Sequence, residues 1–107
     1  MMNNPTLPEL KVEQQKNQDQ LICKLTGWLD PNTSPDLLCK IDLTNIKTLI
    51  FDMSDVEYIF SSGLRIMLIF QKMMDESGGT IKLINVPEQI RAVFEDTGLD
   101  KMLELKS

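Results

Sequence analysis

No histidine occurs among the 107 residues of this chain. Its absence removes Ser-His-Asp and Cys-His catalysis, which both need imidazole as the general base. It also removes every zinc site that draws on imidazole, and Cys23 and Cys39 alone cannot build a structural zinc site. The two cysteines are not spaced as a CxxC pair. They read as two reduced, largely buried thiols of a cytoplasmic protein. Long apolar runs are missing as well: the longest, Ile66 to Phe70, falls far short of a membrane span. Met1 to Gln15 has neither the basic segment nor the apolar segment of a secretory signal. Positive charge is scarce, with 11 Lys and Arg against 16 Asp and Glu, a net charge of −5. The cations, among them Lys11, Lys24, Arg65, Lys72 and Arg91, are scattered along the chain. Nucleic acid and anionic lipid select a basic face, so neither direct nucleic-acid binding nor membrane insertion is expected.

What is present is an ordinary globular composition, 42% hydrophobic and 25% charged, at a length that fits one domain. Residues 1–9 are polar, carry two prolines and read as a loose lead-in, leaving 10–107 as the domain. Leu10 to Gln14 alternates weakly as a strand. Lys16 to Asp19 supplies a hairpin turn, and Leu21 to Leu25 returns as a second strand that ends at Gly27. Trp28 to Asn32 then leaves the sheet. Thr33 or Ser34 can cap a short helix carrying Leu37, Leu38 and Ile41, with Pro35 in its first turn. Thr48 to Met53 is apolar apart from its ends, the pattern of a central strand buried on both faces. A separate stretch, Val56 to Phe60, follows Ser54-Asp55.

Leu64 to Glu76 is the clearest helix, closed by Ser77-Gly78-Gly79. Thr80 to Asn85 reads as a strand. Pro87 and Glu88 start a helix with Ile90, Val93 and Phe94 on one stripe, and Gly98 ends it. Met102 to Leu105 forms a last short element. The order is ββ-α-β-α-β-α, and right-handed crossovers make the later strands parallel. Gly78-Gly79 follows a helix and precedes a strand, the reverse of a phosphate-binding loop.

Two features of the clear helix bear on function. At about 100° per residue, Ile66, Met67, Ile69, Phe70, Met73 and Met74 fill one arc, which is the expected core side. Leu64 and Leu68 fall among the polar residues opposite. Either neighbouring helices cover them, or they form an exposed partner patch. Ser61-Ser62-Gly63 opens the same helix. Serine there can cap free N–H groups. It can also accept phosphate, since a helix N-terminus favours added negative charge. A nucleophilic serine enzyme is not supported: there is no histidine, and no lysine stands in SxxK spacing after either serine. No catalytic residue, metal ligand or cofactor is expected.

The run Asp52-Met-Ser-Asp-Val-Glu-Tyr-Ile-Phe-Ser-Ser-Gly-Leu-Arg65 resembles the central motif of STAS domains, and more narrowly that of bacterial anti-sigma factor antagonists. Leu25-Thr-Gly-Trp-Leu-Asp30 matches their LxGxLD element. Gly78-Gly79 with Ile81, Leu83 and Asn85, and then Ile90 to Lys101, fit their later segments in order. The similarity spans about residues 10–105. It implies a single α/β domain with a mixed sheet of four to five strands and three to four helices. It also implies a partner-switching regulator that is not an enzyme. Such proteins bind an anti-sigma factor that is also a serine kinase. The kinase phosphorylates a serine at the start of the helix, and a PP2C-type phosphatase reverses the modification. The aligned acceptor is Ser61, and Asp30 aligns with an acidic residue near it. The implied partner surface is Asp30, Ser61, Ser62, Gly63, Leu64, Arg65 and Leu68. Phe60 stands where many relatives carry Asp or Ser, and Trp28 replaces a commonly acidic residue. The rival readings are a non-phosphorylated STAS subunit of a membrane-associated transport complex, and a nucleotide-binding STAS module.

Overall fold

The computed structural model describes residues 10–106, so the lead-in read over residues 1–9 lies outside the described part. Five strands form one sheet in the order β1-β2-β3-β4-β5. They are β1 (Leu10–Asn17), β2 (Gln20–Leu29), β3 (Thr48–Ile59), β4 (Thr80–Ile84) and β5 (Glu104–Leu105). Three helices and a single 3-10 turn connect them: α1 (Ser34–Lys40), α2 (Ser61–Glu76), α3 (Glu88–Thr97) and the turn Leu99–Lys101. The hairpin β1–β2 is antiparallel, and every later neighbour is parallel. This is the mixed sheet that the element order predicts.

The strand order follows the chain order, and that has a geometric consequence. Parallel crossovers are right-handed. When each step moves to the next strand in one direction, every crossover helix falls on the same side. Burial agrees. Leu21, Cys23 and Leu25 of β2, Leu49, Phe51 and Met53 of β3, and Ile81 and Leu83 of β4 point to the helices and are buried. The alternate residues Ile22, Lys24, Ile50, Asp52, Lys82 and Ile84 face outward and are only half-buried. The expectation that Thr48 to Met53 is covered on both faces is therefore corrected. The run is apolar at Ile50, but only the Leu49/Phe51/Met53 side meets helices.

Two strand boundaries are also corrected. β3 is one strand of 12 residues rather than two pieces. The register offset between β2 and β3 grows at Lys24/Thr26 and again at Gly27/Trp28, so β3 takes an extra residue at each place. Its buried positions accordingly pass from every second residue to every third, at Met53, Val56 and Ile59. That change of period hides the continuity from a sequence pattern. In β2, Gly27 adopts φ 117 at the second irregularity, and pairing continues through Trp28 and Leu29 instead of stopping there.

The core joins the inner sheet face to Leu37 of α1, Met67, Phe70 and Met74 of α2, and Ile90 and Phe94 of α3. Gly98 takes the left-handed conformation, φ 78, that closes α3. Cys23 is buried, but Cys39 is exposed, so only one of the two thiols is inside as expected. Among the described residues no helix is long and apolar enough to cross a membrane.

Candidate functional site

β2 and β3 end side by side, and that places the two loops of the site together. The Phe60 N–H donates to the Leu29 carbonyl at 2.9 Å, tying the start of α2 to the end of β2. α2 begins at Ser61, three residues earlier than the apolar periodicity indicates. Phe60 is its N-cap residue and provides no side-chain cap. Its carbonyl instead accepts from Gly63 N–H at 2.9 Å and Leu64 N–H at 3.1 Å. The serines therefore do not cap the helix as composition suggests. Ser61 is the first helical residue and exposed, and Ser62 follows half-buried. The bonds to Phe60 leave the Ser61 and Ser62 N–H groups without an intrahelical partner, and the helix dipole adds positive potential there.

Gly63 explains how α2 sits. A Cβ at this position would lie 2.7 Å from Leu29 Cβ and 2.8 Å from Ile59 Cγ1. The helix start is pressed against the ends of β2 and β3, closer than any side chain allows. This contact rotates the buried face toward Leu64 and away from Met73. Leu64 is 6% exposed and belongs to the core, so it is corrected as an exposed partner residue. Gly63 is buried too and offers no side chain. Met73, assigned above to the core side, is 41% exposed, and Ile69 is half-buried. The open stripe of α2 is Ser61, Arg65, Leu68 and Lys72, with Leu68 half-buried and the others exposed.

Asp30 is likewise not a surface residue, being 6% exposed. Its Oδ1 accepts from Asn32 N–H at 2.8 Å and Thr33 N–H at 2.9 Å. Its own N–H donates to Thr33 Oγ1, which in turn donates to the Trp28 carbonyl at 2.7 Å. These bonds shape the entry to α1, whose Thr33 N-cap makes no side-chain cap. The carboxylate acts within the loop, and the Asp30 carbonyl accepts from the Ser34 N–H at 3.0 Å.

A groove of about 350 Å³ lies between the starts of α1 and α2, lined by Ser34, Pro35, Ser61, Ser62, Arg65 and Ile66. Ser34 is fully buried, and neither its Oγ nor the Ser62 Oγ finds a hydrogen-bond partner among the described residues. Sequence reasoning singled out Ser34 only as a possible cap. It also missed an aromatic cluster on the outward side. Trp28, Tyr58 and Phe60 stack with ring centroids 5.5, 6.1 and 4.8 Å apart, and the Trp28 Nε1–H donates to Glu57 Oε1 at 3.3 Å. Only the register that sets Trp28 opposite Tyr58 brings these rings together.

Among the described residues no group of three or more Cys, Asp or Glu side chains could hold a metal ion. Open α/β sheets bind ligands where the strand order reverses, and this sheet has no reversal. The arrangement is suited to contact through the exposed start of α2.

The chain is similar to proteins of known sequence and structure. The chain is 26% identical over 100 residues to the anti-sigma-B factor antagonist of Bacillus subtilis, with 92% of each chain covered. An anti-sigma factor antagonist from Mycobacterium paratuberculosis superposes with a TM-score of 0.79 at 22% identity, over 91% of this chain and 85% of the other. The Bacillus antagonist SpoIIAA superposes in its unphosphorylated form with a TM-score of 0.75 at 21% identity, over 92% and 88%. Its phosphorylated form gives 0.70 at 20% identity, over 92% and 91%. The STAS domain profile matches residues 11–107, and the chain belongs to the STAS-domain family.

Proposed function

We propose that this protein is an anti-sigma factor antagonist. It binds an anti-sigma factor that is also a serine kinase, and phosphorylation of Ser61 releases that partner. The observation that carries the reading is the position of Ser61: exposed, first in α2, and held at the strand ends by the Gly63 contact. Curated relatives named as anti-sigma factor antagonists and a related fold characterised in a phosphorylated form support it.

The chemistry is supplied by the partners. The kinase transfers the γ-phosphoryl group of ATP to Ser61 Oγ; the hydroxyl proton is lost and ADP leaves. A PP2C-type phosphatase returns the serine by adding water across the P–O bond, with inorganic phosphate released. The protein itself binds without catalysing, carries no cofactor and works in the cytoplasm. The contact surface is Ser61, Arg65 and Leu68, flanked by half-buried Ser62. Gly63, Leu64 and Asp30 shape that surface from beneath.

A phosphate brings about −1.5 to −2 charges, more than one nearby cation offsets, and moving it into a partner contact is unfavourable. A loss of about 3 kcal/mol weakens binding more than a hundredfold. Titration calorimetry with the cognate anti-sigma factor tests the reading. Ser61→Ala is expected to bind like the unmodified protein, with or without ATP, and Ser61→Asp to bind at least tenfold more weakly. An unchanged affinity for Ser61→Asp, or no phosphate on the parent after incubation with the kinase and ATP, sinks the proposal.

A further inference from the structure

We propose that phosphoserine at position 61 is clamped by its own chain, with the Arg65 guanidinium as the main partner. The inference deepens the reading of Ser61 as the modified residue and rests on it. Arg65 stands one helical turn after Ser61, the i, i+4 spacing at which side chains meet on a helix surface. It is exposed, and among the described residues no carboxylate lies within ion-pair distance of it. Both residues line the same groove.

The groove is already furnished for an anion. Ser34 is fully buried, and its Oγ has no partner among the described residues. The Ser62 Oγ is in the same condition on the opposite wall. Buried hydroxyls are seldom left so, and each can donate one bond to a phosphate oxygen. The Ser61 and Ser62 N–H groups and the helix dipole add to this. A guanidinium pairs with phosphate through two parallel N–H donors, the stronger form of such a contact.

The consequence for the switch is an exchange of sign. Unmodified, the start of α2 presents a free cation to a partner. Modified, Arg65 turns back on its own helix, and the pair carries about −0.5 to −1 charge. The partner then meets a residual anion and also loses the guanidinium. No movement of the backbone is needed.

The test inserts phosphoserine at position 61 during translation, so that no kinase is involved, and follows the phosphate by ³¹P NMR from pH 4 to 9. The second phosphate pKa is expected below the usual value of about 6. Arg65→Gln raises it by about half a unit or more. Arg65→Lys, which keeps the charge and loses the fork, falls between. Lys72→Gln removes a cation two turns further along and leaves the value in place. Equal values in the parent and Arg65→Gln overturn the clamp, as does a Lys72→Gln shift as large as that of Arg65→Gln. Arg65 is exposed, so its replacement leaves the fold intact. A kinase that fails to modify Ser61 would refute the proposed function without affecting this result.

Discussion

A methyl group added at position 63 has nowhere to go. Alanine is ordinarily favoured over glycine inside a helix by about 1 kcal/mol. Here the new carbon would meet Leu29 Cβ at 2.7 Å, Ile59 Cγ1 at 2.8 Å and the Leu29 carbonyl at 3.0 Å. One of these atoms is backbone, so the strand end itself must shift, and overpacking of that kind costs about 1–3 kcal/mol. Gly63→Ala is therefore expected to lower the urea midpoint despite its better helix propensity. A midpoint at or above the parent's would show that the helix start is not pinned there. The same close contact could not be read in the sequence, where SSG looks like a flexible cap. Asp30 teaches a related lesson. An acidic residue beside a switch serine invites a role at the surface, but both bonds to its Oδ1 come from loop N–H groups. Cys23 differs from Cys39 for the same reason, environment rather than identity. Burial pushes the Cys23 thiol up to about 12, which keeps it protonated and inert, whereas Cys39 is open to solvent.

At the scale of elements, α2 is the instructive case. Its existence was plain from thirteen residues of helix formers ended by glycine, and its first turn was not. The apolar residues cover more than one face, so periodicity alone leaves the orientation open. Two leucines on this helix now separate. Leu64 lies in the core, and Leu68 is packed only along one side. Leu64→Ala is expected to destabilise by about 2–4 kcal/mol and Leu68→Ala by clearly less, as read from denaturant midpoints. If Leu68→Ala proves the costlier, the buried face has been misassigned. The strands tell a parallel story. The hairpin, β4 and the glycine end of α3 follow from alternation and turn residues. β3 did not, because its two extra residues change the spacing of its inward side chains from two to three. A pattern search sees two short strands where pairing with β2 makes one.

At the scale of the whole molecule, the described residues form a single sheet with helices on one side and an open face on the other. Asp52 sits in the middle of that face, bonded within its own strand and to the residue that follows β4. Its partners are the Ser54 N–H at 3.1 Å and the Asn85 side-chain amide at 3.2 Å, with Lys24 opposite it on β2. Partial burial acts to raise its pKa, but the Ser54 and Asn85 hydrogen bonds and the Lys24 charge outweigh it, and the carboxyl ends below its ordinary value. A lowered carboxyl pKa contributes stability above the unfolded-state value of about 3.9, and that contribution is lost as pH falls through the folded value. The difference in urea midpoint between pH 7 and pH 3 is accordingly expected to shrink in Asp52→Asn. An unchanged difference would mean that these bonds do not favour the charged form. The one-sided layering was implicit in the order of elements, since sequential right-handed crossovers permit nothing else. The open face was harder to see, because Ile22, Ile50 and Ile84 make outward positions look like core.

The aromatic cluster gives this small protein an optical property. The chain has one tryptophan and one tyrosine, and their rings lie 5.5 Å apart. Phe60 completes the stack and is bonded through the peptide chain to Ser61. All indole and phenol absorbance therefore arises at a single spot, next to the residue on which regulation would turn. Light taken up by Tyr58 passes to Trp28 across van der Waals distance, and the emission reports the polarity around Phe60. A partner that covers the start of α2, or a charge that appears there, writes itself into the intrinsic fluorescence without any label.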